Sequence, residues 1–249
     1  MDIGDVSLVS FTCLAFIVFG SALISAVTGM AGGILMLTGM NIFIPLSPLI
    51  PIHGAIQLWC TGARTWLLRR HILWSMCLPF MFGAILGSVA IALVMIIYKP
   101  SQTIPFLLLI ILLAYTLFKP SKIPDIKIRH GNYFWVGVIT GFFGILIGAV
   151  DPLLGSFFYR DDLTKEEIVV NKSCMALMTH TSKIMAYIAM GFAFMDSIWL
   201  ILSLSVIALI ATQTGIYLLN RINQTLFRSL MWWALLFSLV RLSYKFFVG

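Results

Sequence analysis

Two basic residues, Arg64 and Lys183, lie well inside long apolar stretches that offer them no evident carboxylate partner. If those stretches are embedded in a bilayer, each charge costs at least roughly 2.5–3.5 kcal/mol at the bilayer centre. An anionic ligand would supply a counter-charge. The alternative is that these long side chains extend to the membrane interface. Arg64 and Lys183 are therefore candidate ligands for an anion.

Polar neighbours of these cations widen the candidate site. His53 and His180 could hydrogen-bond a ligand or carry a proton, because polar groups at membrane depth tend to be functional. A lone histidine is more often structural, and His53 follows a proline closely, so it could also cap a helix. Gln57, Thr179 and Asn171 could bind anion oxygens or neighbouring helices equally well.

Glycine-rich breaks precede two short apolar segments, one in each half of the chain. Glycine lets the backbone leave helical geometry, and a helix N-terminus within the membrane attracts anions. Close helix packing is the alternative explanation, but two breaks in matched places favour a ligand site. The glycines are Gly29, Gly32 and Gly33 in the first half, and Gly141, Gly144 and Gly148 in the second.

The composition requires a lipid environment. Of 249 residues, 61% are hydrophobic and 10% are charged, whereas soluble domains carry about 25% charged residues. The basic residues behind the net charge of +7 lie mostly in short connections, which indicates membrane orientation rather than nucleic-acid binding. Four cysteines without metal spacing predict neither a disulfide framework nor a metal site, and no cofactor is expected. They are Cys13, Cys60, Cys77 and Cys174.

Hydropathy and Gly/Pro breaks predict ten membrane-embedded segments. Segments 33–47 and 148–160 are too short to span comfortably, so we expect them to turn or meet near the midplane. The acidic N-terminus lacks the positive region of a signal peptide, so the first segment is expected to be retained. The ten segments are 7–28, 33–47, 52–69, 72–98, 102–118, 133–147, 148–160, 167–190, 196–219 and 224–247.

The two halves resemble each other. After each short segment comes a helix with marked positions at offsets 0, 4, 7 and 11, which share one face within about 60° of arc. These positions are His53, Gln57, Cys60 and Arg64 in the first half, and Lys172, Ala176, Thr179 and Lys183 in the second. Residues 1–118 and 133–249 therefore form two repeats of about five segments, joined by a cytoplasmic linker, 119–132. An odd number of segments inverts the second repeat, so the fold predicted is an all-α integral membrane protein with inverted repeats.

The charge distribution predicts the orientation. With both termini outside, nearly all basic connections lie inside, as the positive-inside rule requires. These connections contain Arg69-Arg70-His71, the 119–130 stretch, Arg160 with Lys165, and Arg221 with Arg228.

At this level of detail the chain resembles the TauE/SafE family of sulfite exporters, across nearly its whole length. The runs that carry the resemblance are Gly29-Met30-Ala31-Gly32-Gly33, Pro51-Ile52-His53-Gly54-Ala55, Arg69-Arg70-His71-Ile72, Gly141-Phe142-Phe143-Gly144, Thr164-Lys165-Glu166-Glu167 and Thr179-His180-Thr181-Ser182-Lys183. The resemblance implies export of sulfite, organosulfonates or related small anions across a prokaryotic plasma (inner) membrane. The chain departs from the family at Gly148-Ala149-Val150-Asp151, where a glycine cluster is common, so its substrate could differ from sulfite.

We therefore expect a secondary transporter whose repeats rock around a bound small anion. A passive channel for a small anion or neutral solute is the alternative. A membrane enzyme is not expected, because no catalytic motif is present. The lipid bilayer is the other expected partner, and a homo-oligomer stays open. The expected substrate-binding residues are Gly29, Gly32, Gly33, His53, Gln57, Arg64, Gly144, Gly148, Thr179, His180 and Lys183.

Proton coupling would involve His180 or Asp151, although Asp151 precedes a proline and could simply start a helix. Export of an anion from an inside-negative cell is already favoured by about 2.3 kcal/mol per charge per 100 mV. The expectation is therefore electrogenic uniport without an obligatory proton.

Overall fold

The structure is a computed structural model that describes residues 7–98, 103–118, 128–147, 151–158 and 162–248. These described residues form ten α-helices and no strand, so the predicted all-α fold is confirmed. The helices are α1 (Leu8–Thr28), α2 (Gly32–Met40), α3 (Leu46–Leu67), α4 (Trp74–Ile97), α5 (Thr103–Phe118), α6 (Tyr133–Ile147), α7 (Asp151–Phe158), α8 (Lys165–Ala189), α9 (Ile198–Arg221) and α10 (Gln224–Val248).

Four of the described helices, α1, α4, α9 and α10, are long and apolar enough to cross a bilayer. Helices α3 and α8 have 22 and 25 residues, which also exceeds the roughly 20 needed to span. They carry more polar residues than the other four, and most of those side chains are buried in the bundle. The chain is a multi-pass membrane protein.

The first predicted break is a reversal of the chain between α1 and α2. Gly29 ends α1 at φ 72° and Ala31 precedes α2 at φ 64°, both in the left-handed region. A Cβ atom on Gly32 would lie 2.2 Å from the carbonyl oxygen of Ser21, and one on Gly39 would lie 2.5 Å from Ile17. Helix α2 therefore folds back antiparallel along α1, and its nine residues are too few to span.

Two predicted boundaries in this region were wrong. The second segment ends at Met40 rather than at residue 47, and the third begins at Leu46 rather than at residue 52. The sequence favoured a break because of Pro48 and Pro51. Pro48, however, lies in the first turn of α3, where proline loses no intrahelical hydrogen bond, and α3 continues through Pro51 in its second turn.

The second predicted break begins later than expected. Gly141 and Gly144 lie inside α6, which is helical through Ile147. Gly141 instead serves close packing, because a Cβ atom there would lie 2.2 Å from the carbonyl oxygen of Ala84 in α4. Gly148 lies outside the described residues. The short helix that follows, α7, has eight residues, again too few to span.

Helices α4 and α6 form the closest pair. Gly83 and Gly87 of α4 lie against the carbonyl oxygens of Phe134 and Val138, where Cβ atoms would come within 1.9 and 2.1 Å. Gly137 of α6 lies equally close to α4. Both helices therefore carry Gly-xxx-Gly on the shared face and run parallel, a pairing that small residues permit in membranes.

The basic connections that the structure describes lie at one end of the bundle. Asn171 in α8 donates to His71 O at 3.2 Å and accepts from Leu73 N at 2.7 Å, which ties the α3–α4 connection to α8. Ser75 Oγ hydrogen-bonds His130 Nδ1 at 2.7 Å. The Lys165 ammonium donates to Leu219 O at 2.7 Å, near the C-terminus of α9.

Candidate functional site

The candidate site lies between α3 and α8, which cross the bundle antiparallel to each other. Gly54 lies opposite the Lys183 side chain, and Gly62 lies opposite Leu177. Helix α8 begins at a capping box: Thr164 Oγ1 accepts from Glu167 N at 3.2 Å, and Thr164 N donates to Glu167 Oε2 at 2.9 Å.

Three cations on these two helices are almost completely buried. The exposed fraction is 1% for Arg64, 1% for Lys172 and 0% for Lys183. The Arg64 guanidinium donates to Ser25 Oγ of α1, and the aliphatic stem of Lys183 packs over Gly54, whose missing side chain leaves room for it. Both side chains are therefore buried inside the bundle, and their depth relative to the membrane interface stays a prediction.

The two histidines lie next to each other across the helix interface. Their ring centroids are 6.3 Å apart in an edge-to-face arrangement. His53 Nε2 donates to Gly33 O at 3.0 Å, and the Gln57 amide lies 3.4 Å from the same nitrogen. His53 is in the second turn of α3, so it does not cap that helix. Buried His180 Nδ1 has no hydrogen-bond partner among the described residues and is available to a ligand.

His180 is the centre of this arrangement. The charges of Lys183, Arg64 and Lys172, together with His53, all lie close enough to act on it electrostatically. The predicted residues Gly33, His53, Gln57, Arg64, His180 and Lys183 are thus gathered in one region. We name the five ionisable members, Arg64, Lys172, Lys183, His53 and His180, the basic cluster.

Other predicted residues have different surroundings. Thr179 Oγ1 donates to Met175 O of its own helix at 3.0 Å, so its proton is already used. Gly144 is buried within α6, three residues before that helix ends at Ile147. Asp151 is the first residue of α7, and its side chain lies outside the described part of the structure.

The first break also touches the second half of the chain. A Cβ atom on Gly29 would lie 3.3 Å from Val169 of α8, and one on Gly155 of α7 would lie 3.1 Å from the Met30 sulfur. The two short helices therefore approach each other, as predicted. Their depth in the bilayer stays a prediction.

Three residues of the site were missed or left open by sequence reasoning. The sequence placed Lys172 on the same helix face as Lys183, 11 residues before it, but Lys172 was not selected as a substrate-binding residue. Ser25 has no distinguishing sequence signal. Asn171 binds neighbouring backbone rather than a ligand: besides its two contacts to the α3–α4 connection, it donates to Glu167 O at 2.8 Å and accepts from Cys77 Sγ at 3.4 Å.

Comparison with known proteins identifies the family of this chain. No curated protein and no solved structure matches the chain. The family described as "Sulfite exporter TauE/SafE" matches residues 13–242, with its two ends inside α1 and α10. Because that match covers nearly the whole molecule, the chain belongs to the TauE/SafE sulfite exporter family.

Proposed function

We propose that the protein is a secondary transporter that exports a small oxyanion, sulfite or a related sulfur oxyanion, across a prokaryotic plasma membrane. The observation that carries the proposal is the basic cluster buried between α3 and α8. Burying several cations in one apolar bundle is costly, and an anionic substrate that binds among them offsets that cost. Family membership supplies the substrate class.

The surrounding helices favour a negative ligand. Carboxylates within the ten helices are confined to Asp151, the first residue of α7, and to Glu166 and Glu167 in the first turn of α8. The N-terminus of α2 is close to the cluster, since Gly33 O binds His53. Its N-cap residue, Ala31, provides no side-chain cap, and the positive end of the α2 dipole attracts an anion.

An inverted repeat accounts for the pairing of the helices. If α1–α5 correspond to α6–α10, then the α4–α6 contact corresponds to α9–α1, and the α4–α8 contact corresponds to α9–α3. All four contacts exist. In this correspondence α3 exchanges with α8 and α5 exchanges with α10, and both of these pairs are in contact. The pseudo-two-fold axis would therefore pass between α3 and α8, through the candidate site. The substrate site would then lie where the repeats meet.

The proposed orientation has both termini outside and the basic end of the bundle inside. Arg69, Arg70, Arg129, Lys165 and Arg221 all belong to that end, and the positive-inside rule assigns it to the cytoplasm. Most of the linker, residues 119–127, lies outside the described part of the chain.

Transport would proceed by rocking of one repeat against the other around the basic cluster. The membrane potential alone favours outward movement of an anion, by about 2.3 kcal/mol per charge per 100 mV. His180, which lies among the cations, would then bind substrate rather than shuttle an obligatory proton. Asp151 at the start of α7 is the other candidate for proton coupling.

The test is counterflow in proteoliposomes loaded with unlabelled sulfite, with sulfate, organosulfonates and chloride as competitors. We expect transient accumulation of labelled sulfite inside the vesicles, with competition from other small sulfur oxyanions. Conductance without any counterflow would identify a passive channel and contradict the proposal. If chloride abolished the accumulation of labelled sulfite and the sulfur oxyanions did not, the proposed substrate class would be contradicted.

A further inference from the structure

An apolar groove opens on the surface of the bundle beside the first break. It has a volume of about 500 Å³ and lies between α1, α9 and α10, with α2 at its floor. Eleven residues line it, ten of them apolar: Leu23, Ile24, Val27, Thr28, Ala31, Leu35, Leu218, Leu230, Trp233, Ala234 and Phe237. Thr28 adds no free polar group, because its hydroxyl lies within hydrogen-bond distance of Ile24 O and Met30 O, at 2.8 and 2.7 Å, and accepts from Met30 N at 3.2 Å.

The walls of the groove determine what can enter it. Helices α1, α9 and α10 are three of the four helices suited to spanning the bilayer. Trp233, Phe237 and Leu218 are each exposed at the mouth of the groove. The groove therefore opens into lipid rather than into water, and a hydrocarbon chain is the occupant that the bilayer supplies at high concentration.

Charge at one end of the groove adds a preference for the headgroup. Arg221 is three residues after Leu218, on the same face of α9, and its guanidinium stacks over Tyr217 at 4.4 Å. Arg221 belongs to the basic end of the bundle, where lipid phosphates are found.

We propose that this groove binds one anionic phospholipid, with an acyl chain between α1, α9 and α10 and the phosphate at Arg221. The chain would pack against Thr28 and Ala31, which flank the glycine break next to the basic cluster. The bound lipid would therefore stabilise the reversal between α1 and α2. This proposal is independent of the transported substrate.

Native mass spectrometry of the purified, delipidated protein, titrated with phosphatidylglycerol or phosphatidylcholine, tests the site. We expect one tightly retained phosphatidylglycerol per chain and weaker retention of phosphatidylcholine. Leu218→Trp should fill the groove and abolish retention of either lipid. Arg221→Gln should weaken phosphatidylglycerol binding about fivefold, the contribution of one arginine near an anionic surface, and should leave phosphatidylcholine unchanged.

Two matched variants serve as controls. Leu202→Trp places the same substitution elsewhere on α9, at a leucine of similar exposure, 42% against 40% for Leu218. Arg69→Gln removes another arginine that stacks over an aromatic ring at 4.4 Å, in this case Trp66. Both should bind lipid as the wild type does. The proposal would be overturned by equal retention of the two lipids or by lipid binding that Leu218→Trp leaves unaffected. It would also be overturned by a dimer that Leu218→Trp dissociates, since the groove would then belong to the contact with a second copy of the chain.

Discussion

At the scale of single residues, the site depends on cations that are buried inside the helix bundle. Arg64 and Lys183 could be selected from the sequence because a charge inside an apolar run is costly and needs an explanation. Their burial follows from packing: Lys183 has room only because residue 54 is a glycine, and Arg64 reaches Ser25 on another helix. Contacts between distant parts of the chain leave no local sequence pattern. The hydrogen bond from Thr179 to the backbone of its own helix leaves none either.

Neutralising either cation should weaken substrate binding. We expect Arg64→Gln and Lys183→Gln each to raise the KM for sulfite about tenfold or more, because a hydrogen bond to a charged group contributes about 1.5–3 kcal/mol. Expression should be retained, because glutamine keeps a hydrogen-bonding side chain at each position and removes the cost of burying a charge. Initial-rate flux in proteoliposomes measures this, with exposed Arg69→Gln as the control. An unchanged KM in both variants would remove them from the binding site.

At the scale of helices, sequence periodicity located all ten elements but misassigned some glycines and prolines. A glycine can mark either a chain break or a close helix contact, and only the partner helix distinguishes them. Gly29 proved to be the first kind and Gly141 the second. The Gly-xxx-Gly pair on α4 was not recognised, because its partner on α6 lies about 50 residues away in sequence.

The α4–α6 contact should therefore be intolerant of a single methyl group. Gly83→Ala would bring its Cβ within 1.9 Å of Phe134 O, and we expect a loss of about 1–3 kcal/mol of stability, as for other overpacked interiors. Gly20→Ala in α1 is the control, because no atom lies within 4 Å of its Cβ position. Thermal unfolding in detergent compares them. If both variants melt at the wild-type temperature, the helices are not in close contact.

At the scale of the whole molecule, the proposed inverted repeat and the positive-inside rule predict on which side of the membrane each end of the bundle lies. We expect Gly131→Cys, at the basic end, to react with an impermeant maleimide only after cell lysis. Met195→Cys, at the opposite end and 75% exposed, should react in intact cells. Cys13→Ser lowers the background in both, since the other cysteines are buried. Labelling of both positions from the same side is incompatible with inverted repeats.

The most direct test of an anion transporter that operates through the basic cluster is the sulfite-driven current across proteoliposomes. Without a pH gradient, between about pH 5.5 and 8, where histidine ordinarily titrates, the wild type should carry current and Lys183→Gln should carry much less. His180→Gln and Asp151→Asn should change the affinity for sulfite more than the pH dependence of the current. A current that vanishes without a pH gradient, or one that Lys183→Gln leaves unchanged, would contradict this mechanism.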